Sequence, residues 1–166
     1  MPTPSPRPLN GPITDIFCAL EFAPETAHTY EAVHHAAVEI AAAKRIAATP
    51  AEIDGAANLY LFACLVKAGD LRASGVIADR VFETAIESTM YFECHRDWVE
   101  KLVAASRFET ADVWTHRLLE YLAADDQSVP FVRNRVLFLV ELVLDHAAVL
   151  HRSYVFIGER WPDTLE

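Results

Sequence analysis

Apolar residues recur at alternating intervals of four and three between residues 131 and 161. The positions are Val136, Val140, Val143, Ala147, Leu150, Tyr154 and Ile157. This spacing is typical of one side of a long amphipathic α-helix, and Trp161-Pro162 would end that helix because proline cannot continue it. Leu139, Leu142 and Leu144 widen the apolar face, which predicts that neighbouring helices cover this segment on more than one side.

Helical patterns also fill the preceding part of the chain. The predicted segments are 14–22, 25–48, 50–68, 74–106 and 110–122. The start of the third is the clearest, because Thr49, Pro50 and Glu52 match an N-cap, a first-turn proline and the acid of a capping box. The segment 74–106 is one helix or two with a break near Cys94. No segment shows strand periodicity, and no internal repeat is apparent.

These elements predict an all-α fold, a single-domain helical bundle of about six helices with a long C-terminal helix. The chain has 166 residues, about the size of one domain. We expect the bundle to occupy residues 13–166. Residues 1–12 carry prolines at positions 2, 4, 6, 8 and 12, which predicts a disordered, extended arm.

Composition narrows the classes of partner. The chain has 14 Lys and Arg against 24 Asp and Glu, a net charge of -10, which disfavours direct binding to nucleic acid or to anionic lipid. The most apolar run, 136–144, is interrupted by Glu141 and is too short to cross a membrane. Three widely spaced cysteines, Cys18, Cys64 and Cys94, are expected to be reduced thiols in a cytoplasmic protein.

Two stripes of acid, histidine and acid are the main candidates for chemistry. They are Glu31, His35 and Glu39, and Asp112, His116 and Glu120. The four-residue spacing places each set along one side of a helix. Together they would offer four carboxylates and two imidazoles, the ligand types of a dinuclear metal centre in a helical bundle. However, each stripe lies opposite the apolar face of its helix, so we expect solvated surfaces and assign no metal ligand.

Two other features involve titratable residues. His95 lies in an apolar seam and His146 at the edge of one, and such imidazoles are usually hydrogen-bonded core residues. Glu141 and Asp145 form a like-charged pair one turn apart, which destabilises an exposed helix mildly unless a cation lies nearby. The candidates for that cation are Arg133, Arg135 and Arg152, or the basic residues of a partner. No catalytic residue and no cofactor site is predicted.

The sequence therefore favours a small acidic binding or regulatory protein of the inhibitor, immunity or adaptor type, with a protein partner that is basic, over an enzyme. One alternative is a helical-bundle enzyme or sensor with a carboxylate and histidine metal centre or a small apolar ligand. Another is a nucleic-acid mimic. The broad apolar arc of 131–161, flanked by Leu137 and Leu144, also predicts a homodimer.

Overall fold

A computed structural model describes residues 11–24, 27–124 and 129–165, without the side chains of 129–131. In these ranges the chain is all-helical, with eight α-helices instead of about six and a closing 3-10 turn. The α-helices are α1 (Pro12–Phe22), α2 (Tyr30–Ala43), α3 (Pro50–Lys67), α4 (Leu71–Ala85), α5 (Thr89–Ala104), α6 (Phe108–Ala124), α7 (Val129–Asp145) and α8 (His151–Arg160). Over the same ranges no helix is both long enough and apolar enough to span a bilayer.

The prediction of one long C-terminal helix is wrong. Helix α7 ends at Asp145, a turn follows, and α8 begins at His151. In the turn, the backbone N–H of Leu150 donates to the carbonyl of His146 at 2.9 Å. Leu150 itself is fully buried in a non-helical conformation. The heptad pattern persists through the turn because both helices bury apolar residues, whereas the break depends on a contact from another helix, described below.

Other boundaries shift by a few residues. Helix α1 begins at Pro12, so the end of the predicted arm is helical, while residues 1–10 lie outside the described residues, as do 25–26 and 125–128. The segment 74–106 is two helices, and the break falls at 86–88 and not near Cys94. Helix α2 ends at Ala43, before the predicted 48, because Arg45 adopts a left-handed conformation with φ of 52° and closes the helix in the manner usual for glycine.

Residues 1–94 form one compact unit and residues 95–166 another, with the boundary inside α5. In the first unit, α3 packs against α1, α2 and α4. Its N-terminus has the predicted capping box, with Glu52 N–H donating to Thr49 Oγ1 at 3.1 Å and Thr49 N–H donating to Glu52 Oε1 at 2.9 Å. At the other end of α3, Gly69 follows the C-cap residue Ala68 with φ of 77°, as predicted from the sequence. This central position explains why α3 is apolar nearly all round.

In the second unit, α6 packs against α7 and α8, and the 3-10 turn at Pro162–Leu165 packs against α8 and α7. The part of α5 in this unit contributes Trp98, which is 1% exposed and meets the ring of Trp114 edge-on at 5.5 Å. The guanidinium of Arg117 covers the same Trp114 ring at 4.8 Å. Aromatic packing therefore joins α5 to α6.

One pattern of burial occurs twice, although no repeat is visible in the residue types. The buried positions of α4 are Ser74, Ala78, Val81 and Ala85. Their counterparts 37 residues later in α6 are Ala111, Thr115, Leu118 and Leu122. The left-handed residues Gly69 and Ser106 and the buried polar residues Asn58 and His95 keep the same spacing. The spacing of these positions therefore recurs after 37 residues, and three of the four α4 residues, Ala78, Val81 and Ala85, are smaller than their counterparts on α6.

Candidate functional site

The stripe on α2 lies on the solvent-exposed side of its helix, as its position opposite the apolar face predicted. Glu31, His35 and Glu39 are exposed, whereas Val33 and Ala37 of the same helix are buried. His35 Nε2 lies 3.0 Å from Glu39 Oε1. This is an ordinary side-chain pair one turn apart on a helix surface, and such pairs stabilise a helix by about 0.2–0.5 kcal/mol.

The stripe on α6 is not solvated throughout, which corrects the expectation for this helix. Asp112 binds the N-terminus of α8: Arg152 N–H donates to Oδ2 at 2.9 Å, and Ser153 N–H donates to Oδ1 at 2.9 Å. The Ser153 hydroxyl, fully buried, also donates to Oδ1 at 2.7 Å. The carboxylate thereby satisfies N–H groups that the first turn of a helix leaves without partners. Asp112 is the cap that allows α8 to start as a separate helix.

We expect Asp112→Ala to destabilise the protein by about 2 kcal/mol, because two backbone donors and a buried hydroxyl lose their acceptor. Asp112→Asn should cost less, since its carbonyl keeps one acceptor. Urea denaturation followed by circular dichroism would measure both losses. Glu120→Ala is the matched control, because Glu120 is the exposed end of the same stripe and should change stability by about 0.5 kcal/mol or less. Equal losses for Asp112→Ala and Glu120→Ala would contradict the capping role.

His116 also faces α8. Its ring meets that of Phe156 edge-on at 4.9 Å, and its Nδ1 lies 2.9 Å from Glu120 Oε1. The side chain is 24% exposed. Phe156 in turn contacts Trp161, with ring centroids 5.9 Å apart. The middle residue of the stripe therefore packs α6 against the C-terminal helix, which is a structural role for a half-buried imidazole.

Neither stripe brings three ligands to one point by itself. The two stripes belong to different compact units, and each is described here on its own. Among the described residues, no group of three or more His, Cys, Asp or Glu could hold a metal ion. The α2 stripe forms one side-chain pair, and the α6 stripe forms one side-chain pair and the cap of α8.

His95 is the buried titratable group of the second unit. It is 1% exposed, and its Nε2 lies 3.0 Å from Thr115 Oγ1 on α6. Burial lowers the pKa of His95 to about 3, since the interior disfavours the charged ring. The imidazole is therefore neutral near neutral pH and links α5 to α6, as predicted for a core histidine. His146, by contrast, lies half-buried in the turn after α7.

The His95 pKa predicts a pH-dependent loss of stability. The unfolded chain protonates this residue below about pH 6.5 while the folded chain does not, so stability falls as pH drops from about 6.5 towards about 3. Between about pH 7.5 and about pH 5.5 the native chain should lose about 1.4 kcal/mol more than His95→Gln, which cannot titrate. Parallel pH profiles for the two chains, measured by urea denaturation, would contradict this assignment.

A polar cluster that the sequence did not reveal joins α2, α3 and α4. The Tyr30 hydroxyl donates to Asp54 Oδ1, and Arg80 Nη2 donates to Asp54 Oδ2 at 3.2 Å. The pKa of Tyr30 is raised, first by burial and then by the Asp54 carboxylate, while the pKa of Arg80 is raised by the same carboxylate. A phenol that holds its proton this firmly is neither a base nor a nucleophile near neutral pH. The cluster binds three helices together.

The surroundings of Cys18 disfavour its thiolate form. Cys18, Cys64 and Cys94 are free thiols. Burial raises the pKa of Cys18, and the negative charges of Glu21, Asp15 and Glu93 raise it further. A reactive cysteine needs the opposite environment, one that stabilises the thiolate.

The exposed side of α7 combines apolar and acidic residues. We call it the α7 outer face, and it consists of Leu137, Glu141, Leu144 and Asp145. Leu137 and Leu144 are 43% and 47% exposed, and both carboxylates are exposed. The leucines are seven residues apart, about 10.5 Å along the helix axis. The face therefore presents two leucines beside two acids.

Among the described residues, the carboxylates of the α7 outer face form no ion pair. In the part of the chain that the structure describes, the side chains of Glu141 and Asp145 accept no hydrogen bond and belong to no ion pair. One of the candidate cations, Arg133, pairs with Asp163 instead, at 2.8 Å, and Arg133 lowers the pKa of that carboxyl. Two like charges one turn apart cost about 0.2–0.5 kcal/mol on a helix. The repulsion between Glu141 and Asp145 is not relieved within the described residues.

Most of the predicted association arc is buried inside the chain. Val136, Leu139, Val140, Val143, Leu150 and Ile157 are each 4% exposed or less. These side chains are buried by other residues of the same chain, so the broad arc is not exposed for contact with a second copy. What stays exposed on this arc is narrower, namely Leu137, Leu144 and Tyr154, the last at 38%.

Comparison with known proteins adds no further constraint. No family model matches the chain, no curated protein does, and no solved structure does.

Proposed function

We propose that this chain is an acidic helical module that recognises a protein partner, in an inhibitor, immunity or adaptor role. The observation that carries the proposal is the α7 outer face, where two half-exposed leucines adjoin two acids whose carboxylates form no ion pair with any described residue. Apolar side chains that a protein leaves exposed in a group are a common mark of an interaction surface. Three free thiols support a cytoplasmic setting for this role.

The titratable residues support a binding role over an enzymatic one. The acid–histidine stripes are used in pairs and in the cap of α8. The Tyr30 and Cys18 pKa values are raised, opposite to what a nucleophile requires. The net charge of -10 favours a basic partner, because complementary charge accelerates encounter and disfavours wrong partners.

Affinity capture from the source cells would test the proposal. The native chain and Val76→Asp should retain the same partner, while Leu137→Asp/Leu144→Asp should lose it. Val76 is the matched control because it is an apolar residue that is 77% exposed on α4, a helix of the first unit. The helical circular dichroism of each variant shows that folding is intact. The captured protein is then purified and its affinity measured by calorimetry, and equal affinity for the native chain and the double leucine variant would contradict the proposal.

Other outcomes would support the competing functions. One or two equivalents of metal in protein purified without chelator, lost on His35→Ala or His116→Ala, would favour a metal-centre enzyme or sensor. A bound organic molecule in native mass spectrometry would favour a small apolar ligand. A captured nucleic-acid-binding protein that DNA displaces would favour a mimic. A dimer by light scattering that Leu144→Asp dissociates would favour self-association.

A further inference from the structure

We infer that the partner segment on the α7 outer face is a basic amphipathic helix. Its apolar residues would contact Leu137 and Leu144, and its Lys or Arg side chains would reach Glu141 and Asp145. This inference rests on the proposed function, since it names the kind of segment that the proposed interaction surface binds. The basis is the shape, spacing and charge of the four side chains.

The spacing of the leucines matches another helix. Leu137 and Leu144 lie on the same side of α7, two turns apart. Apolar residues separated by three, four or seven positions on a second helix present the same period. Side chains of two such helices can interdigitate along their length. An extended strand, whose side chains repeat every second residue, offers no such match.

The negative charge of the α7 outer face favours a partner helix with positive charge. Glu141 lies between the two leucines along the chain, and Asp145 follows directly after Leu144. Neither carboxylate has a hydrogen-bond or ion-pair partner in the described ranges. A lysine or arginine brought by a partner would relieve the repulsion between them and pair with both. An acidic or neutral helix would leave the repulsion in place.

The size of the face sets the strength of binding. Four side chains on one helix form a small surface, below the ~1,200 Å² that stable protein–protein interfaces usually bury in total. We therefore expect weak and reversible binding, with a dissociation constant on the order of micromolar. Because half of the face is charged, the affinity should fall as salt concentration rises.

The test uses a fluorescein-labelled synthetic helix of about three heptads, with leucine at the two apolar positions of each heptad and lysine around them. Fluorescence anisotropy measures its binding to the full chain, and a peptide with glutamate in place of lysine is the control. We expect the lysine peptide to bind and the glutamate peptide not to bind. Leu137→Ala/Leu144→Ala should weaken binding about tenfold, while Val76→Ala should leave it unchanged.

A second set of variants tests whether the peptide binds the carboxylates of this face or is attracted only by the net negative charge of the protein. Glu141→Gln/Asp145→Asn should weaken binding about five- to tenfold at low salt and flatten its salt dependence. Glu31→Gln/Glu83→Gln removes the same charge from exposed positions of the first unit and should change affinity less than about twofold. Equal losses in the two charge variants would overturn the inference, since binding would then follow net charge alone.

The outcomes also distinguish this inference from the proposed function. If Leu137→Asp/Leu144→Asp loses the cellular partner but Leu137→Ala/Leu144→Ala binds the lysine peptide as well as the native chain does, the partner segment is not a basic helix and the proposed function stands. If Leu137→Asp/Leu144→Asp retains the cellular partner, the proposed surface itself is wrong. A dimer dissociated by Leu144→Asp, without peptide binding, would assign the face to a second copy and overturn the inference.

Discussion

Replacing Gly55 with Ala is expected to destabilise the protein by about 3 kcal/mol, at the upper end of the usual cost of overpacking. Gly55 is buried in α3 at its closest approach to α4. A Cβ at this position would lie 2.3 Å from the carbonyl oxygen of Thr84 and 3.2 Å from Ile13 Cδ1. The first neighbour is backbone and cannot rotate away, so the two helices must move apart. The gain in helix propensity, about 1 kcal/mol, is smaller than this cost.

Gly75→Ala is the matched control, because Gly75 lies inside α4 with no atom within 4 Å of the added Cβ. That substitution should stabilise the protein by about 0.5–1 kcal/mol, since alanine loses less backbone entropy on forming a helix. Urea denaturation of both variants measures the opposite signs. Two stabilising substitutions would show that α3 and α4 are not in contact at Gly55.

Replacing Leu150 with Ala is expected to cost about 2–5 kcal/mol, the range for a buried leucine that leaves a cavity. Leu150 is fully buried, and it lies in the turn directly before α8. Its removal takes apolar contacts from the junction where α7 ends and α8 begins. Thermal and urea denaturation, followed by circular dichroism, would measure the loss.

Leu144→Ala is the control for Leu150→Ala, because it removes the same atoms from a side chain that is 47% exposed. Its cost should stay below about 1 kcal/mol, since an exposed side chain has less transfer energy to lose. Similar losses at the two positions would mean that Leu144 is covered in solution, either by the chain itself or by a second copy, and light scattering would separate these two cases.

The proposed interaction surface depends on a feature that the sequence showed only in part. The like-charged pair Glu141 and Asp145 was visible from its spacing, and so was the apolar character of Leu144. That pair is mildly destabilising without a nearby cation, and one of the candidate cations, Arg133, is engaged with Asp163, 30 residues away in the chain. An ion pair of that separation depends on how the chain folds back, and no local pattern predicts it.

Three helix ends with local causes were predicted correctly, although the local caps Thr29 of α2 and Asp70 of α4 were not recognised. The capping box at Thr49 and Glu52, the glycine after α3 and the stop at Pro162 all lie within a turn of the helix end that they determine. Such features act through contacts between residues three or four apart. The ends of α2 and α4 were missed because Arg45 and the turn at 86–88 carry no glycine or proline.

Asp112 shows why the function of a polar residue can escape sequence analysis. Its spacing from His116 and Glu120 marked it as part of a possible ligand stripe. In the structure its carboxylate binds backbone N–H groups 40 and 41 residues later. Backbone donors have no residue type that identifies them, so a cap supplied by another helix leaves no pattern in the sequence.

The sequence by itself determined the all-helical class and most of the apolar positions that the helices bury, because hydrophobic periodicity reports directly on the face that leaves water. Tertiary structure decided the rest: the break between α7 and α8, the recurrence of one burial pattern after 37 residues, and the separation of the α7 outer face from the buried arc. These features depend on contacts between distant residues, where Asp112 satisfies a helix end and Gly55 admits a neighbouring backbone. Residues far apart in sequence must first meet in the fold before such contacts exist.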